Sequence, residues 1–153
     1  MLAYKEIDTL PKQVSVFYTM TSLLKWQFLL DEASWKAVPA FMRPSVQQLT
    51  TPHAAWVDRI PWPRVRKYLI EHPSITLDDF AIVYSTNFNI KWPYDPQHCA
   101  VPAGVGDDGG QIIAINPVFE EHVKDIKNWI VTNAFRVKFP AMAELIDLDT
   151  KPG

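Results

Sequence analysis

The chain has 153 residues, 48% of them hydrophobic and 21% charged, which fits one folded domain with a substantial core and excludes a disordered tail. A formal net charge of −2 offers no general attraction to nucleic acid or to an anionic membrane surface, and no stretch approaches the roughly 20 apolar residues of a membrane span. A single cysteine, Cys99, excludes an internal disulfide and a multi-cysteine zinc site, so an intracellular location is the expectation.

In chain order, residues 1–10, MLAYKEIDTL, lack periodicity and carry acids where a signal peptide carries an apolar run, so they read as an entry arm. From Lys12 to Leu30, after a proline suited to a helix start, apolar and aromatic residues cover more than one face, which predicts a central helix. Core packing is the ordinary use of its aromatic residues, with Trp26 as a candidate for lining a ligand. Asp31 is the expected cap of a short second helix that Pro39 stops. Arg43 to Ile70 carries Pro44, Pro52, Pro61 and Pro63 together with Trp56 and Trp62. Proline lacks a backbone donor and restricts the residue before it, so this run predicts a folded corner of short helices, with Pro63 starting the last one.

Beyond the corner, Thr76 with Asp79 reads as a capping box for a helix of LDDFAIVYSTNF. Lys91 to Pro96, KWPYDP, is a second knot of proline and aromatic residues. Ala100 to Ile115 has a β pattern, with Gly106 to Gly110 as the tip of a hairpin. Asn116-Pro117 opens a predicted second core helix in which Phe119, Val123, Ile126 and Ile130 keep helical spacing. Pro140 separates a last helix, AMAELIDL, from what precedes it, and residues 149–153 read as a frayed tail. The expected fold is mainly α. It is a single helical domain over residues 11–148, an irregular array of short proline-punctuated helices around two longer core helices, with one small β-hairpin.

The run RPSVQQLT from Arg43, continuing through PHAAWVDRIPWPRVRKYLI to Ile70, resembles a fungal domain of unknown function found at the carboxyl end of bZIP transcription factors and also as a stand-alone protein. VFYTMTSLLKWQ from Val16, KWPYDPQ from Lys91 and INPVFEEHVKDIKNWIV from Ile115 extend the resemblance over roughly Leu10 to Ile146. It implies a regulatory association and a nuclear location as part of a transcription factor, or a cytoplasmic one when stand-alone. It brings no set of catalytic residues. The basic helix and heptad run of the DNA-binding half are not recognised in this sequence, so direct nucleic-acid binding by this segment is not expected.

His53 and Asp58 form the most suggestive polar pair, since a carboxylate that orients an imidazole makes a general base; the alternative is a corner-fixing role. Arg59, Arg64, Arg66 and Lys67 form the basic cluster, with Arg64 the best placed to face a pocket and a solvated face the ordinary use of such a run. His53, His72, His98 and His122 have no zinc-ligand spacing, the glycines of 104–110 lack a phosphate-loop ending, and no cofactor or metal is expected. If the aromatic residues converge on an unfilled centre, they line an apolar pocket. Its candidate binding residues are Trp26, Arg43, His53, Trp56, Trp62, Arg64, Trp92, Tyr94 and Trp129.

Three functions stay open. The first is a regulatory or binding domain acting through an apolar or aromatic small molecule or a protein partner. The second is a stand-alone secondary-metabolism enzyme that shapes an apolar substrate in a cyclisation or isomerisation, with His53 and Asp58 as its catalytic residues. The third is a homo-oligomeric interaction module, a homodimer in its simplest form, marked by exposed aromatic residues on the proline corner. A membrane partner is not expected.

Overall fold

The computed structural model describes residues 9–151, so the expected entry arm lies outside the described residues up to position 8. Among the described residues, eight α-helices and two small antiparallel sheets follow one another: α1 Leu10–Leu29, α2 Glu32–Ala37, α3 Val46–Thr50, α4 Pro63–Glu71, α5 Leu77–Asn87, β1 Phe88–Ile90, β2 Ala100–Val105, β3 Gln111–Ile115, α6 Pro117–Val123, β4 Trp129–Val131, α7 Asn133–Lys138 and α8 Pro140–Thr150. Short 3₁₀ turns at Ala40–Met42, Ala55–Arg59, Pro96–Cys99 and Ile126–Asn128 fill the joints. The fold is mainly α, as its sequence predicts. No described helix is long and apolar enough to cross a membrane.

The stops and caps behave as local chemistry dictates. The Asp31 carboxylate accepts from the Ser34 amide at 2.8 Å and starts α2. Thr76 and Asp79 form the reciprocal capping box of α5, the Thr76 hydroxyl accepting from the Asp79 amide at 3.2 Å. A second box, Ser45 with Gln48, starts α3, so Pro44 lies before that helix and not in its first turn. Pro63 is the first residue of α4. α1 ends on Leu30, whose φ of 52° is left-handed and whose amide donates to Trp26 O at 2.8 Å.

The hairpin of β2 and β3 forms over the expected stretch, with a bulge between Pro102 and Gly104, where glycine takes a φ of 124°. Both its strands are largely exposed. The second sheet was not foreseen: β1 pairs with β4, Phe88 opposite Val131 and Ile90 opposite Trp129. It forms where the second long core helix was expected. That helix ends after Val123, because the Asp125 carboxylate caps a new turn by accepting from the Lys127 amide at 3.0 Å, while Asn128 Nδ2 donates to His122 O at 2.8 Å. Trp129 and Val131 are buried either side of Ile130, a period of two that suits a strand and overrides the helical spacing.

The core is a column of rings. Along the inner edge of α5 and into β1, Phe80, Tyr84 and Phe88 stack with centroids 5.1 and 4.8 Å apart, and Trp129 continues the column at 6.2 Å. Trp62 meets Tyr84 edge-on at 5.9 Å and its indole donates to Trp129 O at 3.3 Å.

The expectation of α1 as a central helix with a buried aromatic stripe is corrected. Its buried residues are Pro11, Lys12, Ser15, Thr19 and Leu23, whereas Phe17, Leu24 and Phe28 are 60%, 56% and 88% exposed. The physical reason is the small inner edge. The Ser15 hydroxyl donates to Pro11 O at 2.6 Å and that of Thr19 to Ser15 O at 3.0 Å, so both are satisfied within the helix and allow close approach to the body.

Candidate functional site

The proline corner is held from inside by one guanidinium. Prolines donate nothing, and the turns around them leave carbonyls without backbone partners. Arg66, on the inner face of α4 and only 2% exposed, supplies those donors: Nη1 to Ile60 O at 2.6 Å and Pro61 O at 3.1 Å, Nη2 to Phe41 O at 2.7 Å and Arg43 O at 3.4 Å. Its Nε donates to Gln48 Oε1 at 2.9 Å, and Gln48 Nε2 donates to Asp58 Oδ1 at 2.9 Å. Burial pushes the Arg66 pKa down to about 10, against the attraction of Asp149 and Asp58, so the group stays charged at neutral pH. Arg66 is thus no part of a solvated basic face.

The same network ends on His53. Its Nε2 lies 2.6 Å from Asp58 Oδ1 and its Nδ1 2.7 Å from Thr51 O. The pair meets because His53 sits in the loop before the 3₁₀ turn that carries Asp58. Both neighbours are acceptors, so the protonated ring has a partner for each N–H. Its pKa is raised, first by the Thr51 carbonyl and then by Asp58, against the effect of burial. With Nδ1 on Thr51 O and Nε2 on Asp58, neither ring nitrogen is turned toward a substrate proton. The arrangement is a clamp on the corner, and as a general base it lacks a free nitrogen.

The other expected binding residues are not brought around one centre. Trp62 and Trp129 are packed shut in the core, at 0% and 1% exposure, and Trp56 stacks on Phe80 at 5.4 Å. Trp26 lies against Trp35 at 4.7 Å, and the Arg43 guanidinium sits 5.5 Å over the same Trp35 ring while donating to Val38 O and Lys36 O. Arg64, exposed, is paired with Asp149 through Nε at 3.1 Å. Trp92 and Tyr94 form a separate knot with Phe119 and His122, centroids 4.9 to 5.5 Å from Trp92. The Cys99 thiol is buried, which pushes its pKa up and away from reactivity. Among the described residues no three His, Cys, Asp or Glu side chains gather as a metal site requires.

Among the described residues, an opening of useful size lies elsewhere. A groove of about 580 Å³ runs between α1 and the hairpin, from Gln13 through Phe17 and Thr21 to Lys25 on one side, with Ile113, Ala114 and Ile115 on the other. Its volume falls in the range of small-ligand sites, and none of the nine expected binding residues lines it. Its walls are mainly apolar, with Phe17 at 60% and Ile113 at 66% exposure. Tyr18 Oη donates to Glu120 Oε1 at 3.0 Å within it, and desolvation followed by that carboxylate raises the tyrosine pKa well above its usual value. The signal in the sequence was the surplus of apolar residues around α1, more than one buried face accommodates.

The family described as "Domain of unknown function (DUF3425)" matches residues 21–151. No curated protein and no solved structure matches the chain.

Proposed function

The chain belongs to the DUF3425 family of domains of unknown function, and from that premise we propose that it is a binding domain of a regulatory kind, acting through a partner that covers the outward face of α1 and the groove beside it. One observation carries this reading: Phe17 of α1 and Ile113 of β3 stand more than half exposed on the apolar groove itself, and Leu24 and Phe28 stand more than half exposed farther along the same helix. The resemblance to the carboxyl-terminal regions of fungal bZIP factors supports the regulatory part. The groove volume favours a second reading, in which the occupant is an apolar small molecule whose polar group meets the Tyr18–Glu120 pair. The homo-oligomeric reading moves from the proline corner to α1, because the exposed aromatic rings are Phe17 and Phe28 there, whereas Trp62 of the corner is buried and Trp56 stacks on Phe80.

The test is fluorescence of anilinonaphthalene sulfonate with dilute protein. Dye binding that falls several-fold in Phe17→Asp, with the far-ultraviolet circular dichroism unchanged, is the expected result. Binding indifferent to that substitution contradicts the reading.

A further inference from the structure

Leu10, Val14, Phe17, Thr21, Leu24 and Phe28 follow one another at alternating steps of four and three, under three heptads and so short of a zipper, yet the spacing that keeps residues on one seam of a paired helix. At 3.6 residues per turn they fall within about 40° of one line along α1, and the buried Lys12, Ser15, Thr19 and Leu23 cluster around the opposite line. The seam therefore faces outward along most of its length, with Val14 partly packed against the core and Phe17, Thr21, Leu24 and Phe28 exposed. Resting on the binding-domain reading above, we propose that the partner is a second copy of this chain, docked through α1 in antiparallel orientation.

Two observations select that partner and that orientation. In an antiparallel pair each residue faces the one whose number adds with it to 38, so Phe17 faces Thr21, Val14 faces Leu24 and Leu10 faces Phe28. Every large ring then meets a smaller side chain, whereas a parallel pair sets Phe17 on Phe17 and Phe28 on Phe28. The groove agrees. On α1 it runs from Gln13 to Lys25, centred on the same point as the pairing, so one two-fold axis lays each helix over the other copy's groove.

The size is adequate. The 20-residue helix is about 30 Å long, and at about 200 Å² for a free aromatic side chain its seam presents on the order of 500 Å² of apolar surface. Ile113 and the polar groove rim bring the contact toward the roughly 800 Å² per partner of a stable interface.

Sedimentation equilibrium of the full chain tests this, read beside dye binding and cysteine cross-linking. A dimer is expected, with a dissociation constant that rises tenfold or more in Phe17→Asp. A mixture of Leu10→Cys and Phe28→Cys chains is expected to form a mixed disulfide on mild oxidation, while Phe28→Cys alone does not cross-link to itself. A Phe28→Cys self-cross-link in preference to the mixed one overturns the antiparallel arrangement. A chain that stays monomeric at about 100 μM, yet loses dye binding in Phe17→Asp, overturns the second copy as partner and leaves the binding surface standing. A monomer whose dye binding ignores Phe17 overturns both.

Discussion

The proline corner and the outer side of α1 solve the same problem in opposite ways. In the corner, where prolines remove donors, Arg66 restores the hydrogen bonds from within, Gln48 and Asp58 complete the network, and Trp62 closes the apolar side. On α1 the small polar Ser15 and Thr19 are buried, with Leu23, while Phe17, Leu24 and Phe28 stand outward. One region is finished by its own chain, and the other has the composition of a half-built interface. The lesson is that burial of polar groups marks what the fold needs for itself, and exposure of apolar groups marks what it offers to something else.

The largest effect should come from breaking the closed region. Arg66→Met leaves carbonyls of Phe41, Ile60 and Pro61 without a donor, and a loss of about 3 kcal/mol or more in urea unfolding is expected; Arg66→Lys should recover little of it, because an ammonium cannot span the same set. At the edge of that region, Thr76→Ala removes the cap of α5 and should cost about 1 kcal/mol in the same measurement.

His53 adds a pH-dependent contribution to the same corner. Its pKa is raised in the folded chain, so its contribution is fully present below the unfolded value of about 6.5 and is lost as pH rises through the higher folded value. A Tm that falls across that window in the native chain, and not in His53→Gln, is the expected outcome of thermal melts. The smallest effect belongs to the open region. Phe28→Ser, at 88% exposure, should change the stability of dilute protein by no more than about 0.5 kcal/mol, and unfolding in urea at low micromolar concentration checks it.

These contrasts also explain what could be read in the sequence. Caps, proline stops and the glycine turn are local chemistry, and α2, α4, α5, α8 and the hairpin lie close to where Asp31, Pro63, Thr76, Pro140 and Gly106 to Gly110 place them. The contact between His53 and Asp58 was legible for the same reason, only five residues apart. Arg66 was not, since the carbonyls it serves lie up to 25 residues away, and nothing in the run of Arg64, Arg66 and Lys67 says which cation turns inward. A better clue was its place beside Val65 and three residues before Leu69, on the buried face of α4. β4 was hidden by coincidence, because Val123, Ile126 and Ile130 fit a helix as well as Trp129 and Val131 fit a strand. Pairing with β1, some 40 residues earlier in the chain, decides between them. The groove was missed because aromatic content was taken as its marker. Most of those rings pack on one another, and the aliphatic and phenylalanine residues of α1 are the ones left over.

Hydroxyl-radical footprinting over a dilution series bears most directly on the claim that α1 presents an unfilled interface. Phe17, Leu24 and Phe28 should be modified readily in dilute protein and become protected together as concentration rises, while Phe119 and Trp129 stay protected throughout. Protection of the three α1 residues at every dilution would mean that the chain covers this face itself, and reactivity unchanged by concentration would mean that no second copy docks there.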